Sequence, residues 1–177
     1  MPAEIKGQTV IFTGDGKGKT SAALGVALRA MGHGMKCSVY QFIKGRMDTG
    51  ELHIVEKLNP LLEIKRVGKG FTRSKAMSIE QHRMAAQDGF TSALKDLSSG
   101  EYGVFIMDEI LYALGKGLVD LEQLFDAIEK KPDVTHLIFT GRGAPRELIE
   151  KVDMVSEINQ IKHPFQSGIP AQKGLDY

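Results

Sequence analysis

The sequence is poor in the residues that mark several common kinds of site. Its 177 residues include one cysteine, Cys37, which excludes an internal disulfide and any cysteine-rich metal centre. Cys37 falls in an apolar strand pattern, so a buried structural thiol is expected. The five histidines, His33, His53, His82, His136 and His163, show no H-x-x-x-H or mixed Cys/His spacing, which argues against zinc. No G-x-S-x-G or cysteine-nucleophile signature occurs. Neither sign of charge dominates: 23 Lys+Arg stand against 22 Asp+Glu, so no global field favours nucleic acid or an anionic membrane. Met1 to Lys6 has no signal core and no apolar run approaches a membrane span. A cytoplasmic, reduced protein is therefore expected. With 42% apolar and 25% charged residues, the composition is that of a globular chain. Its length suits one domain over 1–177, without repeats or linkers.

What is present centres on Thr13-Gly14-Asp15-Gly16-Lys17-Gly18-Lys19-Thr20. The stretch follows the apolar run Val10-Ile11-Phe12 and opens an alanine-rich helical pattern. Strand, glycine-rich loop and helix in that order describe a phosphate-binding P-loop. The glycines let the backbone curl so that successive N–H groups form an anion-binding nest. The helix adds its unpaired N–H groups and positive dipole end. Lys19 can reach terminal phosphates, Lys17 lies inside the loop, and the Thr20 hydroxyl is placed to ligate Mg²⁺. Aligned on Gly18-Lys19-Thr20, the first glycine of G-x-x-x-x-G-K-[ST] falls on Thr13, and Gly14 comes one position late. The loop is shorter between its glycines than in common NTPases.

The remaining pattern alternates strands and helices. Strands are predicted at Thr9–Phe12, Lys36–Phe42, Val104–Met107 and His136–Thr140, with a weaker one at Leu62–Val67 and a last one at Met154–Ile161. Helices are predicted from Lys19 to Met31, Glu51 to Leu58, Ser78 to Leu97, around Leu121–Ile128, and from Pro145. Ser78-Ile-Glu-Gln81 is a capping-box pattern. An irregular tail runs from Phe165 to Tyr177. The fold expected is α/β and P-loop NTPase-like (RecA-like), a mostly parallel sheet with helices on both faces. Ligands bind such sheets beyond the strands' carboxyl ends. That rule directs the P-loop, Gln41-Phe42-Ile43-Lys44, Asp108-Glu109 and Thr140-Gly-Arg142 to one cleft.

An apolar strand ending in Asp108-Glu109, beside a P-loop, reads as a Walker B motif in which one carboxylate holds Mg²⁺ opposite Thr20. Which acid is the inner ligand stays open, and helix capping is the alternative role. Arg142, between two glycines, reads equally as a phosphate clamp or a solvated loop arginine. The basic tract Gly68–Lys75, with Lys69, Arg73 and Lys75 around Phe71, reads as a substrate lid, a nucleic-acid contact or, on composition alone, a solvated loop.

These motifs, with Arg29-Ala-Met-Gly-His-Gly34, Gln41-Phe-Ile-Lys-Gly45, Gly70-Phe-Thr72, Thr140-Gly-Arg-Gly143 and the ending Ala171-Gln-Lys-Gly-Leu-Asp-Tyr177, resemble the P-loop class of ATP:corrinoid adenosyltransferases from about Gln8 onward. The short loop is also a feature of that family. The resemblance implies transfer of the 5′-deoxyadenosyl group of ATP to the Co(I) of a corrinoid, with triphosphate released, in cobalamin synthesis or salvage. It implies ATP and Mg²⁺ at Thr13–Thr20, Arg142, Asp108 and Glu109, with the nucleotide reversed relative to ordinary P-loop NTPases. It also implies a homodimer and an electron donor such as a reduced flavoprotein, without nucleic acid or membrane as partner. Lys19 and Phe71 become the catalytic candidates, Phe71 as an apolar residue that displaces the lower axial ligand of Co(II). Arg73 stands where some members carry tryptophan. The first strand begins close to Met1, so the N-terminal helical extension of some members is expected to be missing, with different substrate enclosure and dimer contacts. A P-loop NTPase or kinase cleaving at the γ-phosphate and a non-catalytic corrinoid carrier are the alternatives.

Overall fold

The computed structural model describes residues 6–45, 48–70, 72 and 77–177. Strands β1 (Thr9–Thr13), β2 (Cys37–Gln41), β3 (Leu62–Arg66), β4 (Val104–Asp108), β5 (His136–Thr140) and β6 (Met154–Glu157) form one sheet in the order β3-β2-β4-β5-β1-β6. Every pairing is parallel, so the sheet is wholly rather than mostly parallel. The connecting helices are α1 (Lys19–Met31), α2 (Gly50–Leu58), α3 (Ile79–Leu97), α4 (Ile110–Gly115), α5 (Leu121–Lys130) and α6 (Arg146–Ile149).

Apolar residues occur continuously in the inner strands because both faces are covered, and alternate residues feed separate cores. Val10, Phe12, Cys37, Val39, Val104, Ile106 and Ile138 pack with Ala23, Ala27 and Ala30 of α1. Ile11, Tyr40, Phe42, Phe105, Met107, Leu137 and Phe139 pack with α3, α4 and α5 on the other face. Each large apolar side chain so buried contributes roughly 1.5–3 kcal/mol. Alanines at the α1 contact both favour the helix and let its axis come close to the sheet. Helix α3 starts with the expected capping box: Ser78 accepts from the Gln81 N–H and its own N–H donates to the Gln81 side chain.

Two elements differ from expectation. Helix α4 follows directly on Asp108-Glu109 and buries Ile110, Leu111 and Ala113; at six residues it is too short to show a period in sequence. The last strand stops at Glu157, not Ile161. Beyond it the chain clasps the glycine-rich loop, with the Ile158 N–H donating to Thr13 (2.9 Å) and the Gly16 N–H donating to Ile158 (2.7 Å). The tail is irregular, as expected, apart from a 3₁₀ turn at Pro164–Ser167.

Candidate functional site

The parallel register brings polar residues into a row at the carboxyl edge of the sheet. Gln41 pairs with Asp108 across β2 and β4, and Met107 pairs with Phe139, which sets Asp108 beside Thr140. Continuing the period of two past Val39, Ile106 and Ile138 puts Gln41, Asp108 and Thr140 on the α1 face. All three are fully buried. Thr20, at the start of α1, meets this row. Its hydroxyl and that of Thr140 each donate to Oδ1 of Asp108 at 2.7 Å. Thr140 also accepts from the Glu109 N–H at 2.9 Å, fixing the turn after β4. Oδ2 of Asp108 has no hydrogen-bond partner among the described residues.

The glycine-rich loop is shaped by two separate demands. Gly18 has φ of 119°, a left-handed conformation that leads into α1. Gly16 is held against Ile158, whose carbonyl oxygen would lie 2.6 Å from an added Cβ. Glycine there serves close packing of the chain after β6 as well as curling the loop. Lys19 is buried and donates to the carbonyls of Gly14 (2.9 Å) and Gly16 (2.7 Å). Desolvation lowers its pKa, against the pull of Glu109. Thr13 is buried and its hydroxyl accepts from the Ala144 N–H at 3.4 Å. Arg142 donates to the Asp15 carbonyl at 3.1 Å and lies 3.7 Å from its carboxylate. Arg142 is therefore exposed and lies against the loop.

Glu109 takes φ of 59°, a left-handed conformation for a non-glycine residue. Burial raises the pKa of Asp108, and burial followed by repulsion from Asp108 raises that of Glu109. Among the described residues no group of three or more His, Cys, Asp or Glu converges as a metal cage. A hard cation at Thr20 and Asp108 would complete its shell with phosphate oxygens and water, as Mg²⁺ commonly does. The buried, unpartnered Oδ2 beside a hydroxyl donor set fits that ion.

A cleft of about 1060 Å³ opens over these groups. Gly16 to Ser21, Glu109 and Arg142 line it, as the motifs predict. Phe71 and Arg73 lie outside the described residues. Their neighbour Thr72 shares a 2.9 Å hydrogen bond with the Tyr112 hydroxyl, and Tyr112 lines the cleft. Lys44 lines the cleft as the strand order predicts, whereas Glu51 is among the lining residues that sequence reasoning missed. Lys44 and Glu51 form an ion pair at 2.7 Å, and Glu51 also accepts from the Gln41 amide at 3.0 Å. From the tail, Asp176 pairs with Lys17 of the loop, and Leu175 and Tyr177 line the opening. Gln41 and Thr140, the polar last residues of β2 and β5, lie at the edge to which the strand order directs them. Asp176 falls in the ending Ala171–Tyr177 that carries the family resemblance, but no charge or hydrophobic pattern there points to Lys17 as its partner.

Comparison with known proteins agrees with this geometry. The family described as ATP:corrinoid adenosyltransferase BtuR/CobO/CobP matches residues 5–177. The corrinoid adenosyltransferase of Escherichia coli K12 is 37% identical over 172 residues, 97% of this chain and 86% of that protein. That of Sinorhizobium sp is 38% identical over 174 residues, 97% of this chain and 81% of that protein. The corrinoid adenosyltransferase CobA of Salmonella typhimurium LT2 is 35% identical over 174 residues, covering 98% and 87%. In fold, the flagellar accessory protein FlaH from Methanocaldococcus jannaschii superposes with a TM-score of 0.56 at 13% identity, over 88% of this chain and 73% of that one.

Proposed function

The chain belongs to the ATP:corrinoid adenosyltransferase family, and on that premise we propose how its cleft transfers the 5′-deoxyadenosyl group of ATP to the Co(I) of a corrinoid. The observation that carries the site assignment is Asp108, held by two hydroxyls on Oδ1 while Oδ2 is buried without a partner beside the phosphate loop.

Co(I) supplies the electron pair for the new Co–C bond. The C5′–O bond breaks, and its pair leaves on the triphosphate oxygen. The protein's task is to align C5′ with cobalt and to stabilise the departing charge. Lys19 and the loop N–H groups between Gly14 and Thr20, other than that of Gly16, which Ile158 already takes, hold the triphosphate, with Lys17 and Arg142 at its margin. Lys19 must then turn from its loop carbonyls toward phosphate. Thr20 and Asp108 would hold Mg²⁺, with Glu109 next to them. When bound, that ion offsets charge on the leaving group. Phe71 displaces the lower axial ligand of Co(II) to ease its reduction. The family resemblance supports this role, the reversed nucleotide, a homodimer and an electron donor such as a reduced flavoprotein; chain length supports one domain over residues 1–177, and the sequence pattern a cytoplasmic protein.

The product tests the reading. Protein, Mg·ATP and chemically reduced corrinoid should yield a light-sensitive Co–C bond and intact triphosphate. Release of ADP and phosphate without adenosylated corrinoid would overturn it. Phe71→Ala should slow an assay begun from Co(II) more than one supplied with Co(I); equal losses would remove its ligand-displacing role.

A further inference from the structure

We propose that Lys44 is a second cation for the leaving triphosphate, lining the same cleft as the phosphate loop, and that Glu51 and Gln41 are its positioning residues. The inference rests on the adenosyl-transfer reading for its chemistry and on the geometry of β2 and α2 for its residues.

Lys44 lies just past β2, and the loop lysine, Lys19, lies at the head of α1; both line the cleft. A triphosphate chelated at Thr20 and Asp108 would therefore share the cleft with both lysines.

The Lys44 ammonium is fixed, not free-swinging. It donates to Oε1 of Glu51 at 2.7 Å, and the same oxygen accepts from the fully buried Gln41 amide at 3.0 Å. An ammonium has three donors, and among the described residues Lys44 spends one on Glu51. Glu51 is in the first turn of α2, a helix that packs on the core through the partly buried Val55 and Leu58. The Gln41 carbonyl oxygen is buried without a partner among the described residues, a cost that a purely structural pin would avoid. Holding a half-buried ion pair with an amide loses side-chain freedom and hydration. The return is a lysine whose remaining donors are pre-aimed where charge develops during the reaction.

The test uses inorganic tripolyphosphate, which has no nucleoside and reads the anion site alone. Titration calorimetry with Mg²⁺ present should show Lys44→Met weakening tripolyphosphate by about tenfold or more, with part regained in Lys44→Arg. The same variants should lose kcat for adenosyl transfer at saturating Mg·ATP. Unchanged tripolyphosphate affinity in folded Lys44→Met overturns the proposal. Glu51→Gln adds positive charge to the cleft, so simple attraction predicts tighter tripolyphosphate binding. Positioning predicts weaker binding, and tighter binding would overturn it. Should Lys44→Met fail to fold, Lys44→Arg and Glu51→Gln still decide. If wild-type protein forms the Co–C bond and Lys44→Met binds tripolyphosphate normally, this inference alone fails. If wild type forms no Co–C bond yet Lys44→Met weakens tripolyphosphate, the anion site stands and the adenosyl-transfer reading falls.

Discussion

Two polar clusters flank β2 and use similar residues to opposite ends. Toward α3, the Tyr40 hydroxyl donates to Asp96 at 2.6 Å and lies 3.1 Å from Ser92. Lys65 donates to Asp96 at 2.5 Å and lies 3.4 Å from Glu63, which accepts from Tyr102 at 3.0 Å. Tyrosines, acids and lysine there meet one another, and the cluster ties the edge strand β3 to β2 and α3. Burial and the bond to Glu63 push Tyr102 up to about 12, so it stays a neutral donor. At the carboxyl edge, Asp108 and Gln41 each keep a buried oxygen unpaired, and Glu109 holds a left-handed backbone. A saturated cluster is a fastening. An unsaturated one is preorganised for something the chain itself does not supply.

The contrast can be broken most sharply at Lys19. Lys19→Ala should lower adenosyl transfer by about 100- to 1000-fold through lost charge stabilisation, while the melting temperature moves little; wild-type turnover would refute its role. Asp108→Asn should cost about 100-fold in kcat and leave urea stability equal or higher, because a buried charge is removed. A large loss of stability in that variant would make Asp108 a fastening after all.

Asp96→Asn should do the reverse, losing about 1–3 kcal/mol of stability with kcat unchanged. Burial works against the Asp96 carboxylate, but the bonds from Lys65 and Tyr40 outweigh it and hold its pKa below the usual range. A depressed carboxylate contributes stability above the unfolded pKa of about 3.9 and loses it as pH falls through the folded value. The gap between wild type and Asp96→Asn in urea midpoint should therefore shrink on acidification below pH ~4; a gap constant with pH would count against the ion pair. The smallest effect is expected from Glu109→Gly, a gain of up to about 1 kcal/mol from relief of the left-handed backbone, measured by the same unfolding, together with reduced turnover.

Much of this architecture is legible in the order of residues alone. The strand runs, the loop Thr13–Thr20 and the capping box at Ser78 are local patterns, in which neighbours in sequence are neighbours in space. Helix α4 is not legible because it is shorter than two turns and is stabilised by burying Ile110 and Leu111. The end of β6 is not, because Ile158 leaves the sheet to bind Gly16, a partner distant in sequence. Gln41 and Lys44 are directed to the cleft by topology, but their link to Glu51 depends on where α2 settles.

The sequence by itself determined the parallel α/β class, the glycine-rich loop between β1 and α1 and the family, since each rests on short-range pattern or ordered motifs. Only the tertiary structure decided which polar groups are satisfied and which are left waiting. That depends on strand register and helix docking: a shift of one residue in β2 would move Gln41 off the face it shares with Asp108. Side-chain partners are long-range facts, and the chemistry of this cleft lies in them.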